Sequence, residues 1–178
     1  MMKYLWGLLL AAGLAGCSSG GRTTKNPQEL IGYHITLPEN AAWLGPGRDT
    51  TITLGDRPKI VVYYNSDGCT SCRLKELPLW KNLLRETQET DSLEVDFVFI
   101  LKSDPHSDEL RLSLNSMRFD HPVLCDPDGE FERNNLLPED EFFHAFLLDR
   151  KNTVILLGVP VFNPALWEKY KEKLAEMI

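Results

Sequence analysis

Two runs are almost continuously apolar. Lys59-Ile60-Val61-Val62-Tyr63-Tyr64 and Glu94 to Leu101 are rich in β-branched and aromatic residues. Strands buried on both faces have this composition. Between them the rhythm lengthens. Leu74, Leu77, Trp80 and Leu84 share one face of a helix running from Thr70 to about Glu89. Ser107 is placed to cap a second helix through about Met117, with Leu110 and Leu114 inward. His121 to Cys125 reads as a short strand, followed by an Asp126-Pro127-Asp128-Gly129 turn. Phe143 to Leu148 and Thr153 to Leu157 read as a hairpin closed by Asp149-Arg150-Lys151-Asn152. Ala165 to Met177 ends the pattern as an amphipathic helix, with Leu166, Tyr170 and Leu174 on one stripe.

Upstream the signals weaken. Glu29 to Pro38 alternates and reads as an extended segment ended by proline. Residues 39–57 are rich in Gly, Pro, Asn and Asp and are expected to be loop, with a short strand at Thr50 to Leu54. Strands alternating with helices give an α/β domain. Its core sheet is parallel with helices on both faces, and the hairpin adds an antiparallel edge. The chain shows no internal repeat.

The first residues follow a different logic. Met1-Met2-Lys3 carries one positive charge, and an apolar run from Tyr4 to Gly16 follows. Thirteen residues are too few to span hydrocarbon, which takes about 20, and a charged start with a small-residue end is the layout of a secretory signal. Leu14-Ala15-Gly16-Cys17 resembles the lipobox of bacterial lipoproteins. The resemblance implies cleavage after residue 16 and acylation of Cys17, hence a protein held to a membrane of the cell envelope with its domain outside the cytoplasm. An ordinary signal peptide is the alternative. Residues 17–28 are small and polar and are expected to form a flexible tether, leaving 29–178 as one folded domain.

Hydrophobic residues make up 43% of the chain, enough to fill the core of one such domain. The formal charge is −7, and removing residues 1–16 takes away only Lys3 to leave −8. There is no basic stripe, which argues against nucleic acid as a partner.

Cys69 and Cys72 are the chemistry. Cys69 follows a buried strand and opens a helix, where unpaired N–H groups and the helix dipole favour thiolate over thiol. Cys72 lies one helical turn on, within reach of a disulfide. Such a dithiol suits exchange, with Cys69 attacking and Cys72 resolving. With Cys17 assigned to lipid, Cys69, Cys72 and Cys125 remain as thiols. An odd number fits a redox pair and a spare better than a disulfide framework.

The stretch from about 58 to 178 resembles the thioredoxin superfamily, especially the extracytoplasmic thiol–disulfide reductases similar to TlpA and ResA, and the small thioredoxin-like lipoproteins of Bacteroidetes. The residues that carry this are the buried strand, Gly68-Cys69-Thr70-Ser71-Cys72, Arg73 to Pro78, the Asp126-to-Gly129 turn, Phe146 to Arg150 and Gly158. The resemblance implies a three-layer thioredoxin-like fold and a thiol–disulfide oxidoreductase acting on exported proteins. A membrane partner would feed it electrons, and the cysteine pair would be its redox carrier in place of a cofactor. Cleft neighbours would be Asp67, Gly68, Thr70, Ser71, Phe143 and His144. The chain departs from the family at four places. Asp67 and Gly68 replace the usual tryptophan, and Pro78 comes one residue late. Tyr63 takes the place of a buried carboxylate, and Phe143 that of a cis proline. A non-proline residue there favours the trans bond.

Alternatives stay open. The pair could be an inert structural disulfide, and the protein a binding or scaffolding lipoprotein without turnover. Peroxide reduction is a third reading, although Ser66 stands where peroxiredoxin-type sites place threonine. Zinc would need Cys125 and His144 to converge on the pair, and no second closely spaced cysteine pair exists. Cys125 itself reads as a small core hydrophobe. An imidazolium at His144 would favour a Cys69 thiolate, whereas a hydrogen-bonded strand histidine is the plainer reading.

Overall fold

A computed structural model of the protein describes residues 21–46, 48–65, 74–90 and 93–177. In chain order its strands are β1 (Arg22–Thr24), β2 (Ala42–Gly45), β3 (Arg48–Asp49), β4 (Lys59–Tyr64), β5 (Asp96–Leu101), β6 (Val123–Cys125), β7 (Leu136–Pro138), β8 (Ala145–Leu148) and β9 (Val154–Leu157). Its described helices are α1 (Leu77–Glu89), α2 (Asp108–Ser116), α3 (Glu130–Asn134) and α4 (Pro164–Ala175).

Seven strands form the main sheet in the order β3-β2-β6-β5-β4-β8-β9. β4 lies deep within it, every residue buried, because both of its faces are apolar. β4, β5 and β6 are parallel and step in one direction across the sheet. Right-handed crossovers that step the same way place their helices on the same face. α1 and α2 accordingly share a core with Ile60, Val62, Phe99 and Val123, and α4 joins it through Trp167, Tyr170 and Leu174. The opposite face carries Val61, Tyr63, Val98 and Ile100. It is covered by Phe131 of α3, Leu137 of β7 and two residues of the N-terminal arm, Leu30 and Ile35.

Local signals that the sequence carries are realised. Ser107 Oγ accepts from Leu110 N at 3.3 Å and starts α2. The hairpin turn is held by Asp149 Oδ1, which accepts from Lys151 N and Thr153 N, each at 2.8 Å.

Five expectations are corrected. The described part of the 17–28 tether is structured: Arg22–Thr24 pairs in parallel with Leu136–Pro138, a partner the local sequence does not reveal. Pro27–Leu30 is a 3-10 turn rather than extended chain, since proline favours the first helical position. After a turn at Ile31–Gly32, from Tyr33 to Ile35 the arm does run extended, hydrogen-bonded along β9 through Val154 and the turn residue Asn152. Within 39–57, strands form at β2 and β3, while Thr50 to Leu54 has no regular structure. β2 exists because it pairs with β6, from Ala42↔Cys125 to Leu44↔Val123. The helix expected from Thr70 is interrupted: Leu74 is helical, a turn follows at Lys75–Glu76 and regular α1 runs from Leu77, while residues 70–73 lie outside the described residues. Pro78 has no N–H for the Leu74 carbonyl, so it sits in the first turn of a helix rather than inside one. The first hairpin strand starts at Ala145 rather than Phe143, and Glu141–Phe143 is a 3-10 turn capped by Asp140, whose Oδ1 accepts from Phe142 N at 3.0 Å.

Candidate functional site

The carboxyl ends of the parallel strands come level at one edge of the sheet, with Tyr64 opposite Leu101 and Leu101 opposite Cys125. Open α/β sheets bind ligands outside this edge. The three strands hand over there to Asn65, Lys102 and Asp126. Lys102 N donates to Tyr64 O at 3.0 Å, and Asp126 N donates to Leu101 O at 2.8 Å. The chain leaves β4 at Asn65 and is described again at Leu74, which is buried beside Tyr64, Leu101 and Leu110. Cys69, Cys72, Asp67, Gly68, Thr70 and Ser71 fall between these two points and lie outside the described residues, as does Cys17.

Around the end of β4 the surroundings are well defined. On the α1 face, Tyr64 Oη accepts from the fully buried Trp80 Nε1 at 3.2 Å. On the other face, Tyr63 Oη donates to Glu132 Oε2 at 2.8 Å, and Lys102 Nζ donates to the same oxygen at 3.2 Å. The Tyr63 ring lies 5.0 Å from Phe131 and 5.7 Å from His144 between centroids. Its backbone N donates to His144 O at 2.9 Å. α3 brings Glu132 here because Asp126 caps that helix, accepting from Glu130 N at 2.9 Å and Phe131 N at 2.8 Å.

His144 is buried, and its Nε2 stands 2.8 Å from Pro138 O. A carbonyl only accepts, so Nε2 carries the proton. This is the hydrogen-bonded histidine of the plainer reading, placed at the end of a turn rather than in a strand. Phe143 is half-buried and meets Phe142 edge-on at 5.5 Å. No described peptide bond is cis, so the bond before Phe143 is trans. Next to these rings, Gly158 adopts φ +118°, and a β-carbon on it would stand 3.0 Å from Leu166 Cδ2.

The structure therefore brings Tyr63 and His144 together and adds Lys102 and Glu132, which the sequence reading missed. Their only signal is positional: Lys102 directly follows a buried parallel strand, and Glu132 lies three residues past the Asp-Pro-Asp-Gly turn. At position 63, where the family resemblance associates a buried carboxylate, Tyr63 stands instead and hydrogen-bonds the partly exposed Glu132. Cys125 is fully buried in the core of the α1 face, away from the Tyr63 face on which His144 packs. Among the described residues no group of three or more His, Cys, Asp or Glu side chains is arranged to hold a metal ion. His121 sits toward the other end of the strands, with Nε2 3.0 Å from Phe97 O and rings of Phe97, Phe99 and Phe119 around it. Burial pushes its pKa below the ordinary histidine value.

No family model and no curated protein sequence matches the chain. Solved structures do. A thioredoxin-like protein in its oxidized form aligns with a TM-score of 0.53 at 16% identity, over 82% of this chain and 98% of its own. A candidate protein disulfide isomerase from Bacteroides thetaiotaomicron aligns with a TM-score of 0.53 at 16% identity, over 83% of this chain and 89% of its own. The fold is thioredoxin-like. The bacterioferritin comigratory protein of Xanthomonas campestris shares it, with a TM-score of 0.52 at 15% identity, over 75% of this chain and 90% of its own. At these identities the likeness concerns architecture. Within the thioredoxin-like fold, the mixed sheet with helices on both faces is what the hydrophobic pattern implies.

Proposed function

We propose that the protein is a membrane-anchored thiol–disulfide oxidoreductase of the TlpA/ResA type, acting on disulfides of exported proteins through Cys69-Thr70-Ser71-Cys72. One observation carries this reading. The C-x-x-C motif begins four residues after Asn65, which stands at the carboxyl edge of β4 in a thioredoxin-like fold. In the reducing direction the Cys69 thiolate attacks one sulfur of a partner disulfide. A mixed disulfide forms, and the partner's first sulfur leaves as thiolate and takes a proton. The Cys72 thiolate then attacks Cys69 Sγ, and the partner's second sulfur leaves the same way. The partner gains two electrons and two protons, the pair becomes a disulfide, and a membrane electron donor restores the dithiol. Phe143 and His144 are the described members of the proposed cleft, with Tyr63, Glu132 and Lys102 behind them.

Anchoring through acylated Cys17 belongs to the same proposal and places the domain in the cell envelope. No described helix is long and apolar enough to cross a membrane. Insulin reduction by the full-length protein tests the activity. Cys69→Ser is expected to abolish it, and Cys72→Ser to accumulate mixed disulfides visible on non-reducing gels. Unchanged function with both cysteines as serine would instead establish a scaffold. Peroxide consumption without insulin reduction would establish a peroxidase.

A further inference from the structure

The turn that carries Phe142 and Phe143 lies beside the end of β4. Val62 pairs with Ala145 at the start of β8, and Tyr63 N donates to His144 O at 2.9 Å. Residues 142–144 therefore stand at the carboxyl edge from which the chain leaves β4. Phe146 pairs with Leu157, which brings the end of β9 and the Pro160–Phe162 turn to the same edge. That turn lies against α1, whose first turn holds Leu79. A peptide docked by strand pairing needs N–H donors at an edge as well as carbonyls. This turn has spent its donors. Phe142 N is bonded to Asp140 Oδ1, Phe143 N to Asp140 O and His144 N to Glu141 O, each at 3.0 Å. The Phe142 carbonyl accepts from Val159 N at 2.9 Å. What the edge presents instead is hydrophobic. Among the described residues, Phe142, Phe162 and Leu79 are three of the five large hydrophobic side chains left exposed, and Phe143 beside them is half-buried. Single exposed hydrophobics are ordinary, whereas a group of them at one edge marks a binding surface.

We propose that this edge holds a partner polypeptide by an apolar side chain next to the partner's cysteine, seated against Phe142 and Phe162, and does not take up the partner's backbone as an added strand. The proposal rests on the oxidoreductase reading above and names its substrate class: disulfides flanked by leucine, phenylalanine or similar residues, in a chain unfolded enough to expose them. Charge favours a polypeptide over a lipid surface as the occupant. Glu139, Asp140 and Glu141 are exposed just ahead of Phe142, against Lys75 ahead of α1, while Lys102 is bonded to Glu132. That balance repels an anionic headgroup layer and accepts a neutral or basic peptide.

The test mixes pre-reduced full-length protein with disulfide substrates and reads single-turnover rates. The substrates are dithiobis(nitrobenzoate), a peptide disulfide with leucine beside each cysteine, the same peptide with serine there, and the leucine peptide N-methylated at that residue. The leucine peptide is expected to react about three- to tenfold faster than the serine peptide, because its side chain leaves water on docking. N-methylation should change the leucine rate by less than about twofold, since no ladder hydrogen bond is lost. Phe142→Ser and Phe162→Ser, both at exposed positions, should each move the leucine-to-serine ratio toward one. Equal rates for the two peptides, a loss of about fivefold or more on N-methylation, or a ratio that neither variant alters would overturn the docking while the redox reading stands. A protein that leaves even dithiobis(nitrobenzoate) intact would remove the redox reading and the docking with it.

Discussion

His121 shows how much a single environment can dictate. Its ring is enclosed by three phenylalanines, and its Nε2–H is held by the Phe97 carbonyl. Burial therefore disfavours the imidazolium and holds the folded pKa below the ordinary value. The sign of the consequence follows. Above pH about 6.5 both folded and unfolded chains carry a neutral His121; in the window below it the unfolded chain takes up the proton first, so stability is lost as pH falls. The melting temperature is expected to be flat above this window and to fall within it. In His121→Gln, which keeps an N–H for Phe97, that slope should shrink whatever the variant's stability at neutral pH. Glu86 acts elsewhere on the scale. The Lys171 ammonium and then the Trp167 indole N–H lower its pKa, so its contribution is lost only below about pH 4.3. Gly158 is the backbone counterpart of His121. With φ +118° and Leu166 at 3.0 Å from any added β-carbon, Gly158→Ala should cost about 2–3 kcal/mol by urea denaturation.

At the scale of elements, what the sequence discloses depends on where an element's cause lies. β4 and β5 were legible because two-sided burial calls for unbroken apolar runs, here Ile60 to Tyr64 and Phe97 to Leu101, and α2 because Ser107 marks its start. β1 and β7 were not, since Arg22-Thr23-Thr24 is polar and becomes a strand only beside Leu136–Pro138. β2 is a strand by virtue of β6. The candidate site divides the same way. A C-x-x-C after a buried strand is visible in the local sequence. Lys102 and Glu132 reach Tyr63 from two separate elements, and no spacing along the chain announces it. Between these cases stands the break before α1: Pro78 is visible in the sequence, whereas the turn at Lys75–Glu76 that precedes its helix is not.

For the molecule as a whole, the arm from Gly21 to Leu37 does the work of a covering layer with one short strand and one 3-10 turn. Ile35 sits outside every named element yet is fully buried against the Tyr63 face. Ile35→Ala is expected to lower unfolding free energy by about 2–4 kcal/mol. Leu112→Ala, at a helix position 69% exposed, should change it by less than about 0.5 kcal/mol. Urea titrations of the two variants compare them directly, and equal losses would mean that the arm is not part of the cooperative core.

The arm also imposes an order of events. Arg22 pairs with Leu136, and Gly32 bonds to Val154, so the earliest part of the domain to be synthesised waits for nearly the last. While the chain grows, that stretch has no partner to hold it. The sheet must close first, and the opening residues then fasten over it as the final latch.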